Sequence, residues 1–243
     1  MWKYTKRYGW WLCFLGFILL FLWILQLRPA IEEVTTIDHR LAGRKITIDV
    51  GHGGLDNGAT YGNIREDELN LKIAQALKAE LEKRGAIVTL TRDGDYDMTM
   101  RDHHYSKQDD MYLRAQKIDA EESVLFVSIH LNASSSSSAW GSQVFYYTNS
   151  EQGQLLAKSI HQEMQKVTGT RKSIQSANFY VLRATATTGV LIECGFISHP
   201  SERGQLSNSS YHEKLAIAIS DGIGNYLESN GYYSPIKKVN NLR

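Results

Sequence analysis

Three residues whose side chains can bind a metal or move a proton stand at the ends of β-rich runs: His52, His130 and Glu193. The carboxyl ends of strands in an α/β sheet meet at one edge, so residues far apart in sequence can form a single site there. A catalytic zinc takes about three protein ligands and keeps one position open for water, which two histidines and one carboxylate satisfy. These residue types predict a metal-dependent hydrolase, although a single histidine at a strand end is more often a hydrogen-bonded structural residue.

The third ligand should come from the acidic start of the first helix, where Glu66, Asp67 and Glu68 are the candidates. Spacing does not choose among them, because a carboxylate at a helix start also stabilises the helix dipole without binding anything. Glu193 follows the apolar residues 190–192. A carboxylate in such surroundings is costly unless it is paired, bound to a metal or kept for proton transfer. Glu193 is therefore harder to explain as a structural residue than either histidine.

The elements that must position these residues alternate between strands and helices. Lys45–Asp49 is β-rich and runs into glycines 51, 53 and 54, which indicates a strand that ends in a tight loop. Apolar residues at helical spacing from Leu69 to Leu81 predict a helix that Gly85 ends. Further strands are predicted at 86–91, 124–129, 143–147, 179–182 and 190–193, and further helices at 112–119, 151–167 and 211–228. This alternation predicts a single α/β domain with a mostly parallel, twisted sheet flanked by helices.

Two stretches between these elements predict loops. Arg92–Asp110 is charged, lacks apolar periodicity and is longer than an ordinary connection, so we expect a lid or a substrate-binding loop. Its histidines, His103 and His104, are expected to be solvated and not to bind metal. The serine run Ser134–Ser138 follows the strand that leads to His130 and predicts a flexible loop within the domain.

The N-terminal segment is almost entirely apolar from Gly9 to Leu27. Its length reaches the roughly 18 residues that cross a bilayer and exceeds the roughly 7–15 apolar residues of a cleaved signal. Basic residues at positions 3, 6 and 7 favour a cytoplasmic N-terminus. Because Arg28 makes a poor cleavage site, a retained anchor is favoured over a cleaved signal. The predicted order is a cytoplasmic tail (1–8), a transmembrane anchor (9–27), a linker (28–43), an extracytoplasmic catalytic domain (44–230) and a C-terminal tail (231–243).

Composition narrows the classes of partner. The 243-residue chain has a formal net charge of +1, with acidic and basic residues interspersed. No long basic face can neutralise a phosphate backbone, which argues against nucleic acid as a partner. Cys13 lies in the apolar segment and Cys194 in an apolar strand, so they cannot pair. The domain is therefore expected to fold without a disulfide, as a core of this size allows.

Three strings of the chain resemble the signature segments of the zinc-dependent N-acetylmuramoyl-L-alanine amidases of the Amidase_3 type. They are IDVGHGG at residues 48–54, SIHLNA at 128–133 and LIECGFIS at 191–198. The three occur in the order typical of the family, and the resemblance extends from about Arg44 to Glu228. The family usually has a proline where this chain has Val50, and another residue where it has Cys194. Neither difference removes a ligand.

The resemblance implies a zinc ion held by His52, Glu66 and His130, with Glu193 as the catalytic glutamate. Glu66 is selected because the segment at residues 64–67 is similar to the ligand-bearing segment of the family. Zinc would lower the pKa of a bound water, and Glu193 would take a proton from that water and return it to the departing amine. The bond cut by the family joins the lactyl group of N-acetylmuramic acid to L-alanine of the peptidoglycan stem peptide.

Residues near these motifs are candidates for contacts with substrate. Asn132 is expected on the same side of its strand as His130, because side chains alternate with a period of two. Arg92 and Arg114 are candidates to bind carboxylates of the stem peptide. The ordinary alternatives are loop capping for Asn132 and a surface position for each arginine.

The arrangement of an anchor, one catalytic domain and no cell-wall-binding repeats most resembles the CwlD-like amidases of endospore formers. That branch acts in sporulation, where it makes muramic-δ-lactam in the spore cortex, and hence in germination. The resemblance implies a catalytic domain outside the cytoplasm, in the intermembrane space of the forespore for a cortex enzyme. It also allows an accessory or activator protein, because the chain has no module of its own that finds the wall. Two alternatives stay open: an inactive peptidoglycan-binding protein, and a zinc hydrolase of another amide.

Overall fold

The computed structural model describes residues 14–21, 37–99 and 105–232. Residues 14–21 are helical, with exposed apolar side chains. Among the described residues, no helix combines the length and the apolar character needed to cross a bilayer. The predicted anchor at Gly9–Leu27 lies mostly outside the described residues, as do Cys13, His103, His104 and all of the C-terminal tail beyond residue 232.

A six-stranded sheet forms the centre of the domain at residues 37–232. Its strands are β1 (Lys45–Val50), β4 (Ile87–Leu90), β5 (Leu125–Asn132), β6 (Gln143–Tyr147), β7 (Gln175–Ala177) and β8 (Gly189–Phe196). They lie in the order β4-β1-β5-β8-β6-β7. All neighbouring strands are parallel except β6 and β8, which are antiparallel. A separate antiparallel hairpin joins β2 (Thr60–Tyr61) to β3 (Ile64–Arg65). The prediction of a mostly parallel α/β sheet is confirmed.

Helices cover both faces of this sheet. They are α1 (Glu66–Lys83), α2 (Lys107–Ala120), α3 (Glu151–Thr168), α4 (Tyr180–Ala184), α5 (Pro200–Leu206) and α6 (Ser209–Ser229). Side chains on a strand alternate between the two faces, and β5 follows that rule: Leu125 and Val127 pack with α1, α3 and α6, whereas Phe126 packs with α2 and α4. The domain is therefore a three-layer sandwich, with its larger core on the side of α1, α3 and α6.

Local chemistry explains where several helices begin and end. Ser106 and Ser150 cap α2 and α3, because each side chain accepts a hydrogen bond from an amide of the first turn. Gly169 ends α3 in the left-handed conformation that glycine adopts without strain. Gly222 of α6 allows close packing on α3, since a Cβ atom there would lie 2.4 Å from the Cα atom of Ile160.

The prediction of a strand at 179–182 was wrong, because this segment begins the short helix α4 and the strand β7 lies just before it. Val181 and Leu182 are both buried against Phe126 and Phe145. Two consecutive buried side chains on one side fit a helical turn and not the alternation of a strand. The alternation of buried and exposed side chains is therefore absent where this segment packs against the smaller core, on the side of α2 and α4.

Three further boundaries differ from the prediction. The charged stretch expected to be a loop to Asp110 already forms the first turn of α2 from Lys107. Strand β5 continues past residue 129, so His130 lies within a strand and not after it. Residues 38–43, expected to be linker, pack against the end of α1 through backbone hydrogen bonds, and Leu41 is fully buried.

The short helix α5 was not predicted, because its residues show no clear apolar period in the sequence.

Candidate active site

His52 lies on the loop that follows β1, at the carboxyl edge of the sheet. Its φ angle is +60°, a left-handed conformation that is uncommon for a residue other than glycine. Gly51 gives this loop room beside β5, because a Cβ atom there would lie 2.4 Å from the ring of His130. The glycine run therefore lets the two imidazoles approach closely, with ring centroids 4.8 Å apart.

Glu66 joins these two histidines from the start of α1. Its Oε1 atom lies 3.1 Å from Nε2 of His52 and 3.1 Å from Nδ1 of His130. One donor atom from each of the three residues lies within 4.8 Å of the others, as in a metal site. The neighbouring candidates point elsewhere: Asp67 pairs with Arg65 at 3.0 Å, and the side chain of Glu68 is 48% exposed. The tertiary structure thus brings Glu66 into the cluster.

The cluster fits a zinc ion in the chemistry and orientation of its atoms. Two imidazole nitrogens and one carboxylate oxygen are the donor set of a catalytic zinc site. Nδ1 of His52 contacts Oδ2 of Asp56 at 2.9 Å, which leaves Nε2 facing Glu66. A carboxylate on the outer nitrogen of a ligating histidine holds its ring and its tautomer. Asp56 was not predicted, although its position four residues after His52 in a glycine-rich loop was a usable signal.

The charges of the cluster are strongly coupled. Although burial disfavours the imidazolium, hydrogen bonds to the carboxylates of Asp56 and Glu66 raise the pKa of His52 to about 9. Burial also disfavours the carboxylate of Glu66, but its hydrogen bonds with His130 and His52 hold its pKa well below its usual range. A metal ion binds neutral imidazole, so metal binding at this cluster would release a proton.

Backbone amides fix the carboxylate of Glu66. Ala59 N donates to Oε2 at 2.8 Å, and Leu131 N donates to Oε1 at 3.1 Å. The side-chain amide of Asn70, one helical turn later, bonds both Glu66 and the carbonyl of Gly51. Glu66 is therefore held by three segments of the chain before any ligand is considered.

Glu193 lies beside this cluster on β8, where it is the register partner of His130 on β5. Its Oε2 atom is buried and has no hydrogen-bond partner among the described residues. Burial raises the pKa of Glu193 to about 7. A carboxyl group with a pKa near neutrality can both take and return a proton at physiological pH. Cys194 points to the opposite face of β8, where its thiol is fully buried in the larger core.

A cleft of about 290 Å³ opens over His52, His130 and Glu193. One wall is apolar and comes from α2, the start of α4 and β8: Met111, Phe179, Val181 and Leu191. The cleft is also lined by the exposed cation of Lys107, at the start of α2, 3.5 Å from the carboxylate of Asp56. The cleft can thus receive a substrate with both apolar and anionic groups.

Of the three proposed substrate contacts, the two arginines are not at the surface, and the prediction for Asn132 stays a prediction. Arg92 and Arg114 are 1% and 2% exposed, and their guanidinium groups bond backbone carbonyls beneath the His52 loop. Both guanidinium groups already have buried partners, although Arg114 also lines the cleft over the site. Asn132 is half-buried near the end of β5, beyond an irregularity that separates it from His130, and its carbonyl accepts from the amide of Ile197.

The family model for N-acetylmuramoyl-L-alanine amidases, Amidase_3, matches residues 46–225 of the chain. The chain is 34% identical over 232 residues to the germination-specific N-acetylmuramoyl-L-alanine amidase of Bacillus subtilis (strain 168), covering 93% of this chain and 98% of that protein. It is 35% identical over 203 residues to the amidase LytC of the same organism, covering 82% of this chain but only 39% of LytC.

Solved structures of amidases are also similar to this chain in fold. The CwlD amidase from Clostridioides difficile, in complex with the GerS lipoprotein, matches with a TM-score of 0.73 and 32% identity over 77% of this chain and 100% of that chain. An N-acetylmuramoyl-L-alanine amidase from Clostridium difficile 630 matches with a TM-score of 0.69 and 33% identity over 78% of this chain and 99% of that chain.

Proposed function

Because the chain belongs to the Amidase_3 family of N-acetylmuramoyl-L-alanine amidases, we propose that it is a zinc-dependent enzyme that acts on spore-cortex peptidoglycan. Amidase activity follows from membership of the family. The dependence on zinc and the action on spore-cortex peptidoglycan are what we propose. One observation carries it: the buried, unpartnered carboxylate oxygen of Glu193 lies beside the cluster of His52, Glu66 and His130.

In this proposal His52, Glu66 and His130 hold Zn²⁺. Zinc supplies a Lewis acid and lowers the pKa of water, which makes hydrolysis of an amide feasible near neutral pH. Asp56 keeps the outer nitrogen of His52 protonated and its ring oriented. Glu193 takes a proton from the attacking water at its free oxygen and returns it to the amine nitrogen of the departing L-alanine. The apolar wall of the cleft excludes bulk water from this exchange.

The test of the chemistry uses the purified full-length chain in detergent. Zinc content is measured by elemental analysis, and release of stem peptides from peptidoglycan is measured in parallel. We expect about one zinc per chain and the appearance of free amino termini on L-alanine. A chain that binds zinc and peptidoglycan without releasing peptides would favour the inactive binding protein. Cleavage of free peptides but not of peptidoglycan would favour a hydrolase of another amide.

The cortex role rests on the likeness to the germination-specific amidase of Bacillus subtilis, which covers nearly the whole of both proteins. We expect a deletion strain of the source organism to form spores that lack muramic-δ-lactam and germinate poorly. Wild-type complementation should restore the lactam, and a Glu193→Gln gene should not. Unchanged δ-lactam in the muropeptide profile of the deletion strain would refute the cortex role and leave a vegetative wall amidase.

We also propose that the segment from Gly9 to Leu27 anchors the enzyme and leaves the catalytic domain (44–230) outside the cytoplasm. Support comes from its length, its apolar character and the basic residues before it. An accessory protein is proposed as a further partner, because the similar CwlD amidase was solved with the GerS lipoprotein. Carbonate extraction of membranes tests the anchor. Release of the full-length chain by carbonate, or an N-terminus that begins after residue 28, would refute it.

A further inference from the structure

Two buried arginines lie directly beneath the loop that carries His52. Arg92 comes from the segment after β4 and Arg114 from the middle of α2. Both donate to the backbone carbonyl of His52, Arg92 through Nε at 2.7 Å and Arg114 through Nη2. One carbonyl therefore accepts hydrogen bonds from two guanidinium groups, at the residue that presents an imidazole to the metal cluster.

Arg92 also connects this loop to the helix turn that carries Glu66. Its Nη2 atom donates to the carbonyl of Gly51 at 2.9 Å and to the carbonyl of Asp67 at 2.8 Å. Asp67 is the residue after Glu66, and Gly51 is the residue before His52. The Nη2 atom of Arg92 thus bonds both the segment that carries His52 and the segment that carries Glu66. The side chains of these two residues meet at 3.1 Å, from Nε2 of His52 to Oε1 of Glu66.

The two arginines differ in how their charges are balanced. Arg114 contacts the carboxylates of Asp49 and Asp110 at 3.2 and 2.8 Å. Among the described residues, the hydrogen bonds of Arg92 all go to backbone carbonyls: those of Val50, Gly51, His52, Asp67 and Gly94. A buried guanidinium without a carboxylate is costly. An apolar side chain in its place would avoid that cost but would leave those carbonyls without their donors. What the arginine supplies is therefore the fork of donors that holds the carbonyls together.

The loop conformation needs such a restraint. The left-handed φ of +60° at His52 is strained for a residue with a Cβ atom, and such strain persists only where surrounding contacts determine it. Gly53, with a φ of +123°, makes room for the arginine, because a Cβ atom there would lie 2.7 Å from Nε of Arg92. The lack of a side chain at Gly53 therefore leaves the space that the guanidinium group of Arg92 occupies.

We propose that Arg92 is a positioning residue that sets the spacing between His52 and Glu66 and thereby the metal affinity of the site. The inference rests on the proposed zinc function. Lysine is the informative replacement, since it keeps the charge but replaces the fork with a single ammonium that cannot bond the same set of carbonyls. The change acts through His52 and Glu66, so its effect should appear in metal binding itself.

The experiment measures Zn²⁺ affinity of the full-length chain by competition with a chromophoric chelator, and the visible absorption of the Co²⁺-substituted protein. For Arg92→Lys we expect affinity to fall by about 10–100-fold, the range typical of residues that orient metal ligands, together with a changed Co²⁺ spectrum. Leu81→Ala is the control for stability, because it removes a core side chain at the far end of α1. This control should unfold more easily and keep the wild-type affinity and spectrum.

Gly53→Ala is the second variant. It retains the arginine, and its Cβ atom would crowd both Nε of Arg92 and the backbone carbonyl of Tyr96. We expect the same direction of change in affinity and spectrum as for Arg92→Lys. Wild-type affinity in whichever of the two variants folds would overturn the inference while leaving the zinc proposal intact. A wild-type chain that binds no Zn²⁺ would overturn the zinc proposal and the inference together.

Discussion

His130 and Glu193 are register partners on the adjacent parallel strands β5 and β8. Side chains of register partners lie next to each other on the same face of a sheet. A proposed metal ligand and a proposed proton carrier are thus joined through backbone hydrogen bonds and not through a mobile loop. This pair faces the other half of the site, which consists of His52 on its loop and Glu66 at its helix start.

Replacing Glu193 should separate metal binding from catalysis. Glu193→Gln keeps the size of the side chain but removes the base, so we expect release of stem peptides to fall by about 10²–10⁴-fold. Zinc content should stay at the wild-type level, because Glu193 is not among the three clustered donors. Glu213→Gln, on the exposed face of α6, is the matched control and should keep full activity. Wild-type turnover in the Glu193→Gln variant would contradict the role of Glu193 as the base.

Asp56 should tune the metal through His52. Asp56→Asn removes the carboxylate that holds Nδ1 of His52, and we expect Zn²⁺ affinity to fall by about 10–100-fold. Asp95→Asn is the control, because Asp95 bonds the amide of Gly54 and the side chain of Arg65 but neither histidine. Equal affinities of these two variants in chelator competition would mean that Asp56 does not orient the ligand.

Gly58 and Gly62 offer a matched pair of left-handed glycines, with φ angles of +65° and +60°. A Cβ atom at Gly58 would lie 2.6 Å from Oε2 of Glu66, whereas nothing lies within 4 Å of one at Gly62. Both alanine variants should lose about 1–2 kcal/mol of unfolding free energy through backbone strain. Only Gly58→Ala should also weaken Zn²⁺ binding. Urea denaturation and metal titration check the two effects, and equal metal affinity in both variants would refute the crowding of Glu66.

Asp49 should make the domain sensitive to acid. Burial opposes its charge, but the charge of Arg114 and the hydrogen bond from Ser128 outweigh this and lower the pKa of Asp49 below its ordinary value of 3.8. The stability that the carboxylate contributes is therefore present above about pH 4 and is lost as the pH falls through the lowered pKa.

Asp49→Asn leaves the buried Arg114 without this partner, so we expect a loss of about 3 kcal/mol at pH 7. The difference from wild type should shrink as the pH falls below 3.8, because the unfolded wild-type chain then takes up a proton at Asp49 that the folded chain, with its lowered pKa, does not yet bind. Urea denaturation of both chains from pH 3 to 7 measures this difference. Asp109→Asn, at an exposed position of α2, should show no such dependence. A constant difference between wild type and Asp49→Asn across the range would contradict the assigned charge state.

Much of the fold could be predicted because its signals are local. The β-rich run at residues 45–49 and the apolar residues from Leu69 to Leu81 reflect periods of two and about 3.6 residues that any short window contains. The prediction failed at α4, where Val181 and Leu182 bury consecutive positions against side chains of β5 and β6. When distant parts of the chain decide which residues are buried, a short stretch of sequence shows no hydrophobic period from which its structure can be predicted.

The donor types and their places at strand and helix ends could be read from the residues alone, and three motifs were enough to identify the family. Spacing left open which carboxylate faces the histidines, and only the family resemblance selected Glu66. The fold places it there, because neighbouring residues of a helix point about 100° apart and the docking of α1 on β1 and β5 sets its rotation. It also turned Arg92 and Arg114 inward, beneath His52. The direction of a long side chain depends on the cavity that folding creates around it, and the partners that form this cavity lie tens of residues away in the chain.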